Sequence, residues 1–203
     1  MVPRAPRPSI LAAGLVALFA ATPARAVFHL WQIEEIFSNA NGSIQYVEFF
    51  SSSQFPQNLM AQHVLDSLQG TTVVDNFTFP SDLGSPTQDH FFLVATPAFE
   101  AAAGIKPDYT FAPNQVFIHL GVTDTIRIEQ ASTTPFTFDP SALPTDGTHA
   151  LLAMGGVFPA VVAAASPTNF AGKQGQLVPE PDRALLAVAA FGALAGLARR
   201  RAR

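Results

Sequence analysis

Residues 30–50 read LWQIEEIF, SNANG and SIQYVEFF in succession, and this stretch decides the fold. Two runs rich in Ile, Phe, Val and Tyr (30–37 and 43–50) flank small polar residues that end in Asn41-Gly42. Asn-Gly is favoured in tight β-turns because both residues tolerate positive φ. The pattern predicts a β-hairpin. Outward from it, strand-like runs recur at 64–68, 76–79, 91–95, 115–120, 125–129 and 149–154, between clusters of Pro, Gly, Asn and Asp. Short strands so spaced, with no long segment of helical periodicity, predict an all-β sandwich. Residues 97–103 are the exception, because Pro97 suits a helix start and Gly104 its end. Residues 157–165 fit strand or buried loop equally well.

The phenylalanines support the same reading. The chain has 18 Phe against one Trp (Trp31) and two Tyr (Tyr46, Tyr109). In Phe77/Phe79 and Phe136/Phe138 both rings of a Phe-x-Phe share a sheet face, as core packing requires. A carbohydrate-stacking platform would use exposed Trp and Tyr instead.

The 203 residues are 48% hydrophobic and 13% charged, with no cysteine. Intrinsic disorder is excluded by the apolar content. Disulfides, thiolate metal sites and cysteine nucleophiles are excluded outright. The formal charge of −4 conceals a segregation. Between Val27 and Val178, thirteen acidic residues face only Lys106, Arg127 and Lys173, a net of −10 between two basic ends. Such a body would be repelled by nucleic acid, which is excluded as a partner of the folded part.

Both ends read as addresses. Residues 1–26 combine basic Arg4 and Arg7, an apolar run (ILAAGLVALFAA, 10–21) and Ala24-Arg25-Ala26. The run makes roughly 18 Å of helix, short for a bilayer. This is the layout of a secretory signal peptide cut after Ala26, with Ala24 and Ala26 as the small residues of the cleavage site. The competing reading is a short uncut anchor. At the other end, Val178-Pro179-Glu180-Pro181 precedes Asp182-Arg183, an apolar segment at 184–198 and a basic tail at 199–203. The segment would form a single transmembrane helix, with Arg183 and Arg199 snorkelling to the two interfaces. Arg199, Arg200, Arg201 and Arg203 would stay cytoplasmic, leaving the acidic body outside.

Motif, short helix and terminal arginines together resemble the PEP-CTERM sorting signal of exopolysaccharide-producing Gram-negative bacteria. The resemblance covers 178–203. It implies an exosortase as partner, alongside the general secretion machinery, and cleavage near the Pro-Glu-Pro element. Val178, Pro179, Glu180 and Pro181 would then be substrate residues without catalytic duty. An ordinary tail anchor with a chance Pro-Glu-Pro is the alternative. The body, 27–177, makes one domain. Ile33-Glu34-Glu35-Ile36 with Gln45-Tyr46-Val47-Glu48-Phe49, then Phe77-Thr78-Phe79-Pro80 and Phe91-Phe92-Leu93-Val94-Ala95, resemble lamin-tail-type domains. That resemblance departs at Tyr46, where those domains carry Trp, and is faint at 63–67. It implies an immunoglobulin-like sandwich with a binding or adhesive role.

Local motifs for chemistry are sparse. His29, His63, His90, His119 and His149 show no metal-binding spacing. Asp89-His90 and Asp146-Gly147-Thr148-His149 place acid beside imidazole, but no G-x-S-x-G supplies a nucleophile. No catalytic residue and no metal ligand is assigned. Glu34, Glu35 and Glu48 could meet across the hairpin as a glycosidase pair. Glu34 and Glu35 are expected on opposite faces, so one at most would pair with Glu48. A solvated Glu, or one capping loop amides, is the simpler expectation. No cofactor is expected; calcium is the one weighed, from Asp- and Asn-bearing loops at 39–41, 75–76, 82 and 139–146, although no D-x-D-x-D-G register exists. Asn41-Gly42-Ser43 and Asn76-Phe77-Thr78 fit the N-glycosylation pattern, idle in a bacterial host without the machinery. The expected protein is exported, transiently held in the inner membrane, then resident in the cell envelope or extracellular matrix. Its role there would be structural or binding, with exopolysaccharide or envelope components as partners. The rivals are a hydrolase of matrix polysaccharide using Glu48, and a calcium-stabilised adhesin.

Overall fold

The computed structural model describes residues 28–129, 135–153 and 159–177. The hairpin forms as its sequence dictates: β1 (Gln32–Ser38) pairs antiparallel with β2 (Gln45–Ser51), and Gly42 takes a φ of 70° in the turn. Strict alternation would put Ile33 and Ile36 on opposite faces. A β-bulge between Ile33 and Glu35 resolves the conflict, because one extra residue resets the pleat. Ile33 stands across from Phe49 and Glu35 across from Glu48. Both isoleucines thereby enter the core.

The remaining strands are β3 (Val64–Gln69), β4 (Thr72–Thr78), β5 (His90–Ala95), β6 (Tyr109–Thr110), β7 (Asp124–Ile128), β8 (Phe136–Phe138), β9 (His149–Leu152) and β10 (Val161–Ala164). A six-stranded sheet has the order β10-β9-β1-β2-β5-β6, and a four-stranded sheet the order β4-β3-β7-β8. Pairing is antiparallel except between β5 and β6. The described residues therefore form an all-β sandwich. One helix, α1 (Phe99–Ala103), ends at Gly104, whose φ of 70° is the left-handed cap that glycine makes easy.

Two apolar clusters hold the layers. Between the sheets, Ile33, Ile36, Val47, Phe49, Phe92 and Val94 meet Leu65, Ile126, Ile128, Phe136 and Phe138. On the outer face of the larger sheet, Phe37, Tyr46, Leu93, Ala95 and Ala150 are covered by Phe99 and Ala103 of α1, Ile105 and Leu177. Full burial of such a side chain is worth about 1.5–3 kcal/mol. The middle of the larger sheet is thus buried on both faces, which explains why Phe91-Phe92-Leu93-Val94-Ala95 is uniformly apolar, whereas β10 at its edge is largely exposed.

Several elements depart from the sequence reading. β4 begins at Thr72, earlier than expected, closed onto β3 by Gly70 at φ 62°. β6 was not foreseen, and β10 settles part of the open stretch as strand. Residues 115–120 are not a strand. Phe117 and Ile118 are both fully buried, but their N–H groups donate to the side-chain oxygen of Gln45, and the Gln45 amide donates to the Ile118 carbonyl at 2.7 Å. One buried glutamine replaces the ladder a neighbouring strand would have supplied. Among the described residues no helix is long and apolar enough to cross a membrane. The expected signal peptide (1–26) and sorting segment (178–203) lie outside the described residues.

Candidate functional site

The bulge that saves the core also builds the most unusual polar site. On β2, Tyr46 and Glu48 point to the outer face because Val47 and Phe49 point inward. Glu35, moved by the bulge, joins them there. Both carboxyls are buried, with Glu35 1% and Glu48 2% exposed. Glu34, the extra residue of the bulge, borders the same cleft, so the expected separation of Glu34 from Glu35 onto opposite faces does not hold. The cleft measures about 360 Å³ and is completed by Phe91, Leu152, Ser166, Thr168 and Gln174.

A segment without regular structure, residues 165–177, runs over the pair as a strap. The Ser166 N–H donates to Glu35 Oε1 at 3.0 Å and its hydroxyl to Oε2 at 3.2 Å. The Tyr46 hydroxyl also donates to Glu35 Oε1. The Thr168 N–H donates to Glu48 Oε2. Beyond the pair, Asp108 Oδ2 accepts from the N–H of Leu93 and of Phe170, at 2.9 and 3.0 Å, tying strap to sheet. Asn169 Nδ2 donates to the Lys106 carbonyl, and the Gln176 N–H to the Ala103 carbonyl. At Gly175 a Cβ would come within 2.8 Å of Ile105 and 2.9 Å of the Ala103 carbonyl. The strap ends in the outer apolar cluster at Leu177.

The electrostatics follow from burial without a counter-ion. Burial pushes the Glu48 carboxyl up to about 9, and the charges of Glu35 and Glu34 add to this against the Thr168 amide. Glu35 is also raised by burial, but the Tyr46 hydroxyl and Ser166 oppose it. Burial and Glu35 hold the Tyr46 phenol well above its usual range. Glu35, with three donors, is the better placed of the two to hold the negative charge, and Glu48, pushed up to about 9, carries the proton at neutral pH.

A second cluster brings together Ser67, His119 and Asp124. Ser67 Oγ donates to Asp124 Oδ1 at 2.8 Å, and His119 Nδ1 lies 3.2 Å from Ser67 Oγ and 3.3 Å from Asp124 Oδ2. In a hydrolytic triad the acid and the serine use different ring nitrogens. Here both meet Nδ1, so the imidazole cannot relay a proton between them. Asp124 also accepts from the N–H of His119 and Thr125, and ties β7 to the loop before it. Nothing local marked this cluster, because Ser67 lies 52 residues before His119 and 57 before Asp124.

The other sequence candidates are dispersed. Asp146 and His149 do meet, at 2.6 Å, in a solvated turn where Asp146 Oδ1 accepts from the N–H of Thr148 and His149. His90 Nδ1 contacts the Gln88 carbonyl, not Asp89. The acids considered for calcium accept backbone amides: Asp75 from Asn76, Asp82 from Ala61 across 21 residues, Asp139 from Ser141. Among the described residues no three His, Asp or Glu converge as a metal site. Val178–Pro181 and the flanking arginines lie outside the described residues. At the hairpin tip a further cleft, about 440 Å³, is lined by uncharged Asn41, Ser43, Thr96, Pro97, Asn114 and Val116, among others. No family model matches the chain, and no curated protein or solved structure matches it either.

Proposed function

We propose that this is an exported sandwich protein, sorted through the Pro179-Glu180-Pro181 element by an exosortase, with a structural or binding role in the envelope or extracellular polysaccharide matrix. The sandwich is read as immunoglobulin-like, of the lamin-tail type. The observation that carries the non-catalytic reading is the use of the buried Glu35–Glu48 carboxylate pair. Glu35 and Glu48 take their hydrogen bonds from the chain's own strap, at Ser166 and Thr168, and so hold the fold closed. The uncharged cleft at the hairpin tip offers amide and hydroxyl groups to a neutral partner. Intact mass of the protein recovered from its host, with fractionation, tests the sorting. A chain from Val27 to Pro179–Pro181 in the envelope or matrix is expected, and an intact Arg203 in the inner membrane would overturn it.

A second reading is favoured by the same pair. Burial keeps Glu48 protonated at neutral pH directly across from the Glu35 carboxyl, and a protonated acid beside a second carboxyl is the pairing used in glycoside hydrolysis. On that reading Glu48 is the acid and matrix polysaccharide the substrate. Hydrolysis that E48Q abolishes in a folded protein would establish it, and absence of hydrolysis by the unaltered protein would dismiss it.

A further inference from the structure

We infer that the strap at 165–177 is a proton-held latch, docked while the Glu35–Glu48 pair keeps a proton and released from the outer face when that proton is lost. The inference stands on placement and is independent of the proposed export. The two carboxyls are direct cross-strand partners, and sheet backbone lies beneath them. The strap is therefore the part of their surroundings that can lift without breaking a sheet, because its bridge between Thr168 and Gln174 is internal to it.

Among the described residues, the groups that line the cleft around the pair include no cation to balance a second charge. From β1 comes Glu34, acidic, and from β2 Tyr46, whose hydroxyl is spent on Glu35. Beside them, β5 and β9 contribute Phe91 and Leu152 to the cleft, and His149 stands at the opposite end of β9. His90, next to Phe91, packs its ring on Phe170 of the strap with centroids 4.9 Å apart, so that the E48Q background is what separates the pair from this imidazole. From the strap come Ser166, Thr168, Gly172 and Gln174. The strap's own cation, Lys173, is exposed and outside the lining, and Asp108 anchors the strap away from the pair. Glu100 of α1 is exposed.

Two like charges held face to face in such a site cost several times what they cost in water. With both ionised, relief comes from admitting water, and lifting Ser166–Thr168 is the route that leaves the sheet intact. Burial pushing Glu48 up to about 9 agrees with a docked strap at neutral pH.

The absence of cysteine makes a direct test available. Gln174 is exposed, so a Gln174→Cys variant of the full chain in detergent micelles can carry an environment-sensitive thiol fluorophore on the strap. Titration from pH 5 to 10 should show a reversible emission change with its midpoint above neutrality. The change should vanish when Glu48→Gln is added, since glutamine mimics the protonated acid. An unchanged titration in the E48Q background, or no titration at all, would overturn the latch. Should E48Q fail to fold, hydrogen exchange on the unaltered chain replaces it. After correction for intrinsic rates, Ser166 and Thr168 amides should lose at least tenfold in protection between pH 6 and pH 9, and equal protection would overturn the proposal.

Discussion

Glu35 and Glu48 face each other across the first hairpin, and each accepts an N–H from a strap more than a hundred residues further along the chain. The contact couples the start of the fold to its end. Local strand geometry supplies the carboxyls, and the strap at 165–177 supplies the donors.

Global stability should depend on this pair with a defined sign. Glu48 is raised in the folded state from about 4.5 to about 9. A raised carboxyl contributes stability that is fully present below the unfolded value and is lost as pH rises through the folded one. Denaturant midpoints should therefore fall between pH 5 and pH 9, by up to about tenfold in the folding constant per pH unit. E48Q should flatten the profile. A profile identical in both proteins would mean that another group is responsible.

Tyr46→Phe removes the hydroxyl that helps Glu35 remain ionised. Leaving a buried charged acceptor short of a donor costs about 1–3 kcal/mol. Equilibrium unfolding at pH 7 checks this, and the loss should shrink at pH 4.5, where Glu35 can take up a proton.

Gly175→Ala tests the seating of the strap. The added methyl would meet Ile105 and the Ala103 carbonyl at under 3 Å. A loss of roughly 1–3 kcal/mol is expected, with faster proteolytic nicking in 165–177. By contrast, a Cβ at Gly121 meets nothing within 4 Å, although its φ of 81° still disfavours alanine. Gly121→Ala should cost less, about 1 kcal/mol.

Gln45→Ala should be among the most damaging single changes. It orphans the N–H groups of Phe117 and Ile118 and the Ile118 carbonyl, all buried. Each orphaned group costs about 1–3 kcal/mol. Chemical denaturation should show a loss well beyond that of Gln69→Ala, at the exposed end of β3.

Asp124→Ala should lower stability by roughly 2–4 kcal/mol, since it strips acceptors from Ser67, His119 and Thr125 at once. His119→Gln, on a partly exposed side chain, should cost under about 1 kcal/mol. A larger effect of His119→Gln than of Asp124→Ala in unfolding experiments would contradict the structural role given to this cluster.

Much of the architecture was legible because it rests on local signals. The hairpin followed from Asn41-Gly42 between apolar runs, and helix α1 from Pro97 and Gly104. Phe136 and Phe138 were readable as same-face core residues and are both buried. The cross-strand partner of Glu48 was not, since it depends on a bulge placed by the competing demands of Ile33 and Ile36. The strap was invisible for a different reason. Its part is played by backbone amides, which every residue has, and its sequence ASPTNFAGKQGQL carries no periodicity. Residues 115–120 were misread because apolar content marks burial, whereas strand identity needs a backbone partner; here a side chain took that place.

Leu177, sunk in the outer cluster, stands only two positions before Pro179 in the sequence. A protease that accepts its substrate as an extended chain would collide with the sandwich before its cleft could close over such a stub. Lifting 166–177 would free on the order of 40 Å of backbone, enough to thread an active site. On the proposed function, the folded domain therefore meters its own severance: maturation would proceed at the rate at which the last segment peels away, and substitutions under the strap would change that rate without touching the cleavage motif.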